Sequence, residues 1–202
     1  MPRETYHHGN LREALIEATT RLIEERGPMG WTLAEAARSA GVSPAAPYRH
    51  FLGREDLLLE VARIGYQRFA SDLERAFDDG KPTVLAAYLR MAQAYLDFAI
   101  GQPGLYTAMF ESGVDVSANP QLWSAGQRAH GVLTSATRAL FAHMPEDSQP
   151  PTLMVANHMW AMAHGVVELF ARARPGSRSP IEPHEMLESG ILIYLRGLGR
   201  IS

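Results

Sequence analysis

The chain has 202 residues, 46% hydrophobic and 20% charged, enough apolar material for one large core or two small ones and too much for a disordered chain. Its formal charge of −3 speaks against binding nucleic acid over the whole surface, yet leaves room for a small DNA-reading module on an acidic body. Cysteine is absent, which excludes disulfides and thiolate chemistry and leans the expected compartment towards the cytoplasm.

The opening MPRETYHHGN has no apolar run and does not read as a secretory signal. From there nearly every stretch repeats at helical period, and no β-like alternation persists. A first helix starts at Asn10, an N-cap with Glu13 three residues on. Its stripe is Leu11, Leu15, Ala18, Leu22 and Ile23, and Gly27-Pro28 stops it. Thr32-Leu33-Ala34-Glu35 is a capping box that opens a short helix ending before Gly41. Ser43-Pro44 supplies an N-cap and a first-turn proline for another short helix, which Gly53 breaks. A long helix from about Arg54 to Asp79 follows, then one from Pro82 to about Ile100 and a shorter one over Pro103–Ser112. Asn119-Pro120 opens the next, to about His143, and a polar, proline-rich loop covers Met144–Pro151. Two strongly apolar helices, Thr152–Arg174 and Pro183–Arg200, close the chain, making nine helices in all. The longest uncharged run, Pro151–Val167, is too short to span a bilayer and carries Asn157, His158 and His164, so no membrane partner is expected.

Two short helices joined by a turn that begins at Gly41, with Ala34, Ala37 and Ala40 as packing positions, match a helix-turn-helix over Thr32–Phe51. The same spacing also occurs in purely structural helical corners. Charge is mildly favourable: residues 1–54 hold seven Arg and six Glu, net +1, against −4 for the remainder. The run from Tyr6 to Leu59 resembles the N-terminal domain of TetR-family transcriptional regulators. The resemblance rests on Trp31-Thr32, Ala36-Ala37, Ala40-Gly41-Val42-Ser43 and Tyr48-Arg49-His50-Phe51, followed by a basic residue and Leu57-Leu58. It implies an all-α fold of nine helices: a three-helix DNA-binding domain at 1–53 and a helical effector-binding and dimerisation domain at 54–202.

The resemblance also implies roles. Thr32, Ser43, Tyr48 and His50 fall where the family contacts phosphates, and Arg54 takes the place of its usual lysine, keeping the charge. Pro44, Ala45 and Ala46 open the reading helix; the two alanines offer methyl contact to thymine, and Arg49 is its one long donor. Arg49 suits guanine O6/N7 or a phosphate. Pro47 stands where leucine is common and is expected to tilt or shorten this helix. Arg3, His7 and His8 form either an arm that reaches the minor groove or an unstructured start.

In the body, Met159, Val166 and Phe170 lie on one side of the penultimate helix, while Gly190, Ile193, Tyr194 and Gly197 lie along the last. These seven are the expected homodimer interface, through the four-helix bundle that the family resemblance implies. Trp160-x-x-x-His164-Gly165 resembles the Trp-His-Gly signature of one TetR C-terminal class. Trp160 and His164 share a helix face, as a ligand-lining pair or as core residues. Tyr95, Phe98, Tyr106, Met109, Phe110, Trp123 and Met162 are further candidates for lining an effector pocket. The expected partners are operator DNA, a second copy of the chain and a small-molecule effector of unknown identity. No catalytic residue, metal site or cofactor is expected: the histidines lack metal spacing, and no phosphate loop or nucleophile elbow occurs. Repressor and activator are not separated by the sequence, and a structural helical adaptor is the remaining alternative.

Overall fold

The computed structural model describes residues 11–172 and 180–199, so the candidate arm at Arg3, His7 and His8 and the Asn10 cap lie outside the described residues. Among those described, all regular structure is helical. The eight α-helices are α1 (Leu11–Arg26), α2 (Leu33–Ser39), α3 (Arg54–Phe77), α4 (Val84–Gly101), α5 (Pro103–Phe110), α6 (Pro120–Phe141), α7 (Thr152–Val166) and α8 (Pro183–Gly197). The remaining expected helix, between α2 and α3, is a four-residue 3-10 turn, Ala46–Arg49.

The reason for that shortening is a single missing amide. A helix capped at Ser43 would take its first bond from the N–H of residue 47 to the Ser43 carbonyl, and Pro47 has no N–H. The chain instead closes tighter turns: Ala46 N–H donates to Ser43 O at 2.9 Å and His50 N–H to Pro47 O at 2.9 Å. Ser43 therefore caps no regular helix, contrary to the sequence expectation.

The chain divides into two compact units. The first contains residues 1–66 and 103–124, with a core of Leu15, Ile23, Leu57, Leu105 and Tyr106. Here α5 lies against α1 so closely that a Cβ at Gly104 would stand 2.3 Å from Thr20 O. Glu60, 8% exposed, is held by Arg12 at 2.7 Å and by Arg63. Burial works against its charge, but the two guanidiniums prevail and keep its carboxyl below the usual glutamate range.

The second unit contains residues 67–102 and 125–202. Its α4 packs on α8, and α7 on both. Helix α3 ends two residues before the expected Asp79, where Asp78, Asp79 and Gly80 turn through positive φ. After Val166 the α-helical ladder of α7 widens to a π turn over Val167–Ala171, closed by Arg172 N–H to Val167 O at 2.9 Å. Among the described residues no helix is long and apolar enough to cross a membrane.

Candidate functional site

The helix-turn-helix is built from local signals. Thr32 caps α2 reciprocally: Glu35 N–H donates to Thr32 Oγ1 at 3.2 Å, and Thr32 N–H donates to a Glu35 carboxylate oxygen at 2.9 Å. The Thr32 hydroxyl also donates to that carboxylate at 2.8 Å, and Arg26 reaches it at 3.0 Å. The Thr32 hydroxyl first, and its amide second, hold the Glu35 carboxyl below its ordinary range. The hydroxyl is exposed but already engaged, so a phosphate would compete with Glu35 for it. Gly41, at φ +72°, turns the chain out of α2, and Val42 N–H closes on Ala37 O at 2.9 Å.

Beyond the turn, Ser43, Pro44, Ala45, Tyr48, Arg49 and His50 are exposed, Ala46 is half-buried, and Pro47 faces inward. Arg49 and Tyr48 have no hydrogen-bond or ion-pair partner among the described residues, and Tyr48 is 65% exposed. Phe51 anchors the segment: it is 3% exposed, with the Arg12 guanidinium 5.6 Å from its ring centre. A row of outward-facing polar and cationic side chains thus sits on a short turn fixed to a buried core.

Arg54 is placed differently from the rest of this set. Its Nε donates to Trp31 O at 3.0 Å, one terminal nitrogen donates to Pro28 O, and the guanidinium lies 4.8 Å from the Trp31 ring centre. The charge that the sequence offers as a phosphate contact is folded onto the loop before α2. Its geometry positions Thr32 by holding Trp31. This clamp spans 23 to 26 residues of sequence, and no local signal announced it.

The second unit encloses a narrow cavity with room for little more than one water, about 20 Å³. Leu73, Met91, Leu133, Met159 and Ile191 line it together with the rings of Tyr88, Tyr95 and Trp160. The aromatic side is a cluster of edge-on contacts: Trp160 stands 6.0 Å from Tyr95 and 6.1 Å from Phe69, ring centre to ring centre. Tyr95 Oη shares a hydrogen bond with His164 Nδ1 at 3.1 Å, and Tyr88 Oη shares one with Thr137 at 3.1 Å. Burial pushes the Tyr88 phenol well above its ordinary range, so it stays neutral.

The expected pocket residues divide. Tyr95 and Trp160 line this cavity, with His164 bonded behind Tyr95, while Phe98 packs on Phe69 at 5.1 Å. Tyr106, Met109, Phe110 and Trp123 belong to the first unit and are absent from this wall; Tyr106 and Met109 are core there, and Trp123 is 49% exposed. Met162 instead faces Gly190, where an added Cβ would come within 2.9 Å of its sulfur. Gly190 therefore permits close packing of α8 on α7 within the chain.

The expected interface divides too. Met159 and Val166 are 3% and 6% exposed inside their own chain, so they are not available to a partner. Phe170 lies half-buried on the π turn, and Tyr194 is half-buried with its hydroxyl 2.7 Å from His158 Nδ1. Ile193, 66% exposed, and Gly197 face outward on α8. The outward face of α7 carries Met154, His158 and Ala161. Leu153 and Leu169, 58% and 67% exposed, extend the apolar surface.

Residues 88–193 match the family described as "Tetracyclin repressor-like, C-terminal domain", and residues 15–61 match "Bacterial regulatory proteins, tetR family". The chain is 28% identical over 100 residues to the uncharacterized HTH-type transcriptional regulator YobS of Bacillus subtilis, over 50% of this chain and 51% of that one. The chain thus spans about half the length of that relative. Among solved structures, a protein of unknown function from a Rhodococcus species superposes with TM-score 0.81 at 28% identity, covering 96% of this chain and 98% of that one. The TetR family transcriptional regulator PfmR of Thermus thermophilus shares the fold, with TM-score 0.70 at 17% identity over 90% and 97% of the two chains.

Proposed function

The chain belongs to the tetR family of bacterial regulatory proteins, and on that premise we propose that it regulates transcription as a ligand-responsive repressor, binding a palindromic operator as a homodimer. The observation that carries the DNA-binding half is the exposed turn over Tyr48–His50 behind the Gly41 corner, on which Tyr48 and Arg49 have no hydrogen-bond or ion-pair partner among the described residues. In this reading Thr32, Ser43, Tyr48 and His50 set register on the phosphates, and Pro44 opens the reading segment. Ala45, Ala46 and Arg49 address base edges, with Arg49 suited to guanine. Arg54 holds the loop that presents Thr32, so its contribution to binding is one of position.

The ligand-responsive half is supported by the apolar cavity and its aromatic wall. Helix α3 contributes Arg54 to the helix-turn-helix and Leu73 to the cavity wall, so one helix carries both. A ligand that opened the cavity would displace Leu73 and with it the helix that ends in the Trp31 clamp. Effector and operator would then oppose each other reciprocally, with a coupling of about 1–3 kcal/mol.

The homodimer is supported by the outward apolar faces of α7, the π turn after it and α8: Met154, Leu153, Leu169 and Ile193 leave a surface that a second copy would cover. The test is sedimentation of the wild type and of Ile193→Glu, with operator titration of each. The expected result is a dimer for the wild type and a monomer with weakened operator binding for the variant. A wild-type monomer that binds its operator tightly would contradict the reading.

A further inference from the structure

Pro47 also bears on which bases the turn meets, given the proposal that this segment reads them. We infer that Pro47 determines operator specificity: by holding the segment in a 3-10 turn, it sets the base pair that Arg49 addresses. It is a positioning residue, since its own ring is buried in the module. Two properties of proline act here. It withholds the amide that would start an α-helix from Ser43, and it disfavours helical backbone at the residue before it, Ala46. Shortness is not the cause, because the seven residues of α2 in the same module are α-helical throughout.

The turn is held at a fixed rotation. The Pro47 carbonyl accepts from His50 N–H at 2.9 Å and from Phe51 N–H at 3.0 Å, and Phe51 is itself a core residue. Measured around the axis from the buried Pro47, Arg49 is turned by about 240° at three residues per turn, but by about 200° at 3.6. That difference of about 40°, at a side-chain radius of about 5–6 Å, carries the outer part of Arg49 about 4 Å sideways. One base-pair step is about 3.4 Å, so the displacement is worth about one base pair. The neighbour of Arg49 changes as well. Residues three apart eclipse in a 3-10 turn, which puts Arg49 in line with Ala46; in an α-helix its nearest neighbour would be Ala45, about 40° away. A long arginine side chain can bend back, but the alanine methyls are fixed to the backbone. The base beside the one that Arg49 reads is therefore met by Ala46.

The experiment is selection of bound duplexes from a random pool by the full wild-type chain and by Pro47→Leu and Pro47→Ala, both of which restore the amide. Each selection is repeated with Arg49→Ala added, which identifies the guanine that depends on Arg49. The expected result is an Arg49-dependent guanine in all three proteins, displaced in the Pro47 variants by about one base pair relative to the two-fold centre. Each protein should then bind the other's operator about tenfold more weakly than its own. Pro47 variants that lose affinity yet select the wild-type motif would show a role in stability alone and would overturn the inference. Carbon chemical shifts of residues 45–49 in the wild-type complex need no variant, and an α-helical signature there would overturn it too. If the wild type selects no sequence, the base-reading proposal falls and this inference with it. If it selects an inverted repeat whose guanine keeps its place in the variants, the regulator reading stands and only the role of Pro47 falls.

Discussion

Arg54→Ala separates two roles that a basic residue at the end of a helix-turn-helix can play. The wild-type guanidinium makes charge-assisted hydrogen bonds to the carbonyls of Trp31 and Pro28 and lies over the Trp31 ring. Each such bond contributes about 1.5–3 kcal/mol, and the ring contact about 0.5–1 kcal/mol near the surface. Both carbonyls are only partly shielded, so water recovers part of the loss on truncation. Taking the low ends and allowing for that recovery, Arg54→Ala should destabilise the chain by about 2–3 kcal/mol. Arg54→Lys, which keeps the charge but has no planar fork, should recover less than half of that. The assay is urea denaturation of both variants beside the salt dependence of their DNA binding. The clamp predicts a clear fall in the urea midpoint and a nearly unchanged salt slope. An unchanged midpoint, with the slope reduced by about 0.9 per protomer, would show that Arg54 neutralises a phosphate and would refute the reasoning.

Other substitutions test neighbouring steps. Arg49→Ala, which removes an exposed and unpartnered side chain, should leave stability within about 0.5 kcal/mol but cost about 1–3 kcal/mol at the cognate site and relax one base position in gel shifts over operator variants. Uniform weakening on every sequence would make it a phosphate contact. Gly104→Ala drives a Cβ against Thr20 O and should lower stability by about 1–3 kcal/mol in thermal melts. Gly131→Ala, within α6 and meeting nothing within 4 Å, should raise it by about 0.4–1 kcal/mol, and equal effects at the two glycines would contradict the packing described. Glu60 is held below its ordinary value of 4.5, so its pairing stabilises the fold above that pH and is lost as the pH falls through the lower folded value. Glu60→Gln should therefore weaken the protein at neutral pH and flatten its decline below about pH 4.5; a parallel decline in both proteins would exclude Glu60 from the acid response.

What was legible in the sequence was mostly what is decided within a few residues. The Thr32–Glu35 capping box, the left-handed Gly41 and the effect of Pro47 each depend on atoms three or four positions apart, and each is present in the fold. The Pro47 effect exceeded the expectation: a helix foreseen as tilted or shortened became one 3-10 turn, because the absent amide is the one that starts the ladder. Long-range partners were not legible. The pairing of Arg54 with Pro28 and Trp31 follows from how α3 meets the loop before α2. On α7 the helical period shows two apolar stripes but not which of them the chain itself covers. Met159 and Val166 face inward, while Met154 and the neighbouring His158 and Ala161 face out. The cavity is harder still, since Tyr95 and Trp160 differ from Tyr106 and Met109 only in which packed unit receives them.

The most direct test of the central claim is selection of bound duplexes from a random DNA pool by the full chain, with the stoichiometry of the selected complex measured by sedimentation. The account predicts an inverted repeat whose half-sites lie about one helical turn, 34–36 Å, apart or at a related spacing, bound by protomers in even number. Selection of no sequence, or of one asymmetric half-site bound by a single protomer, would contradict it.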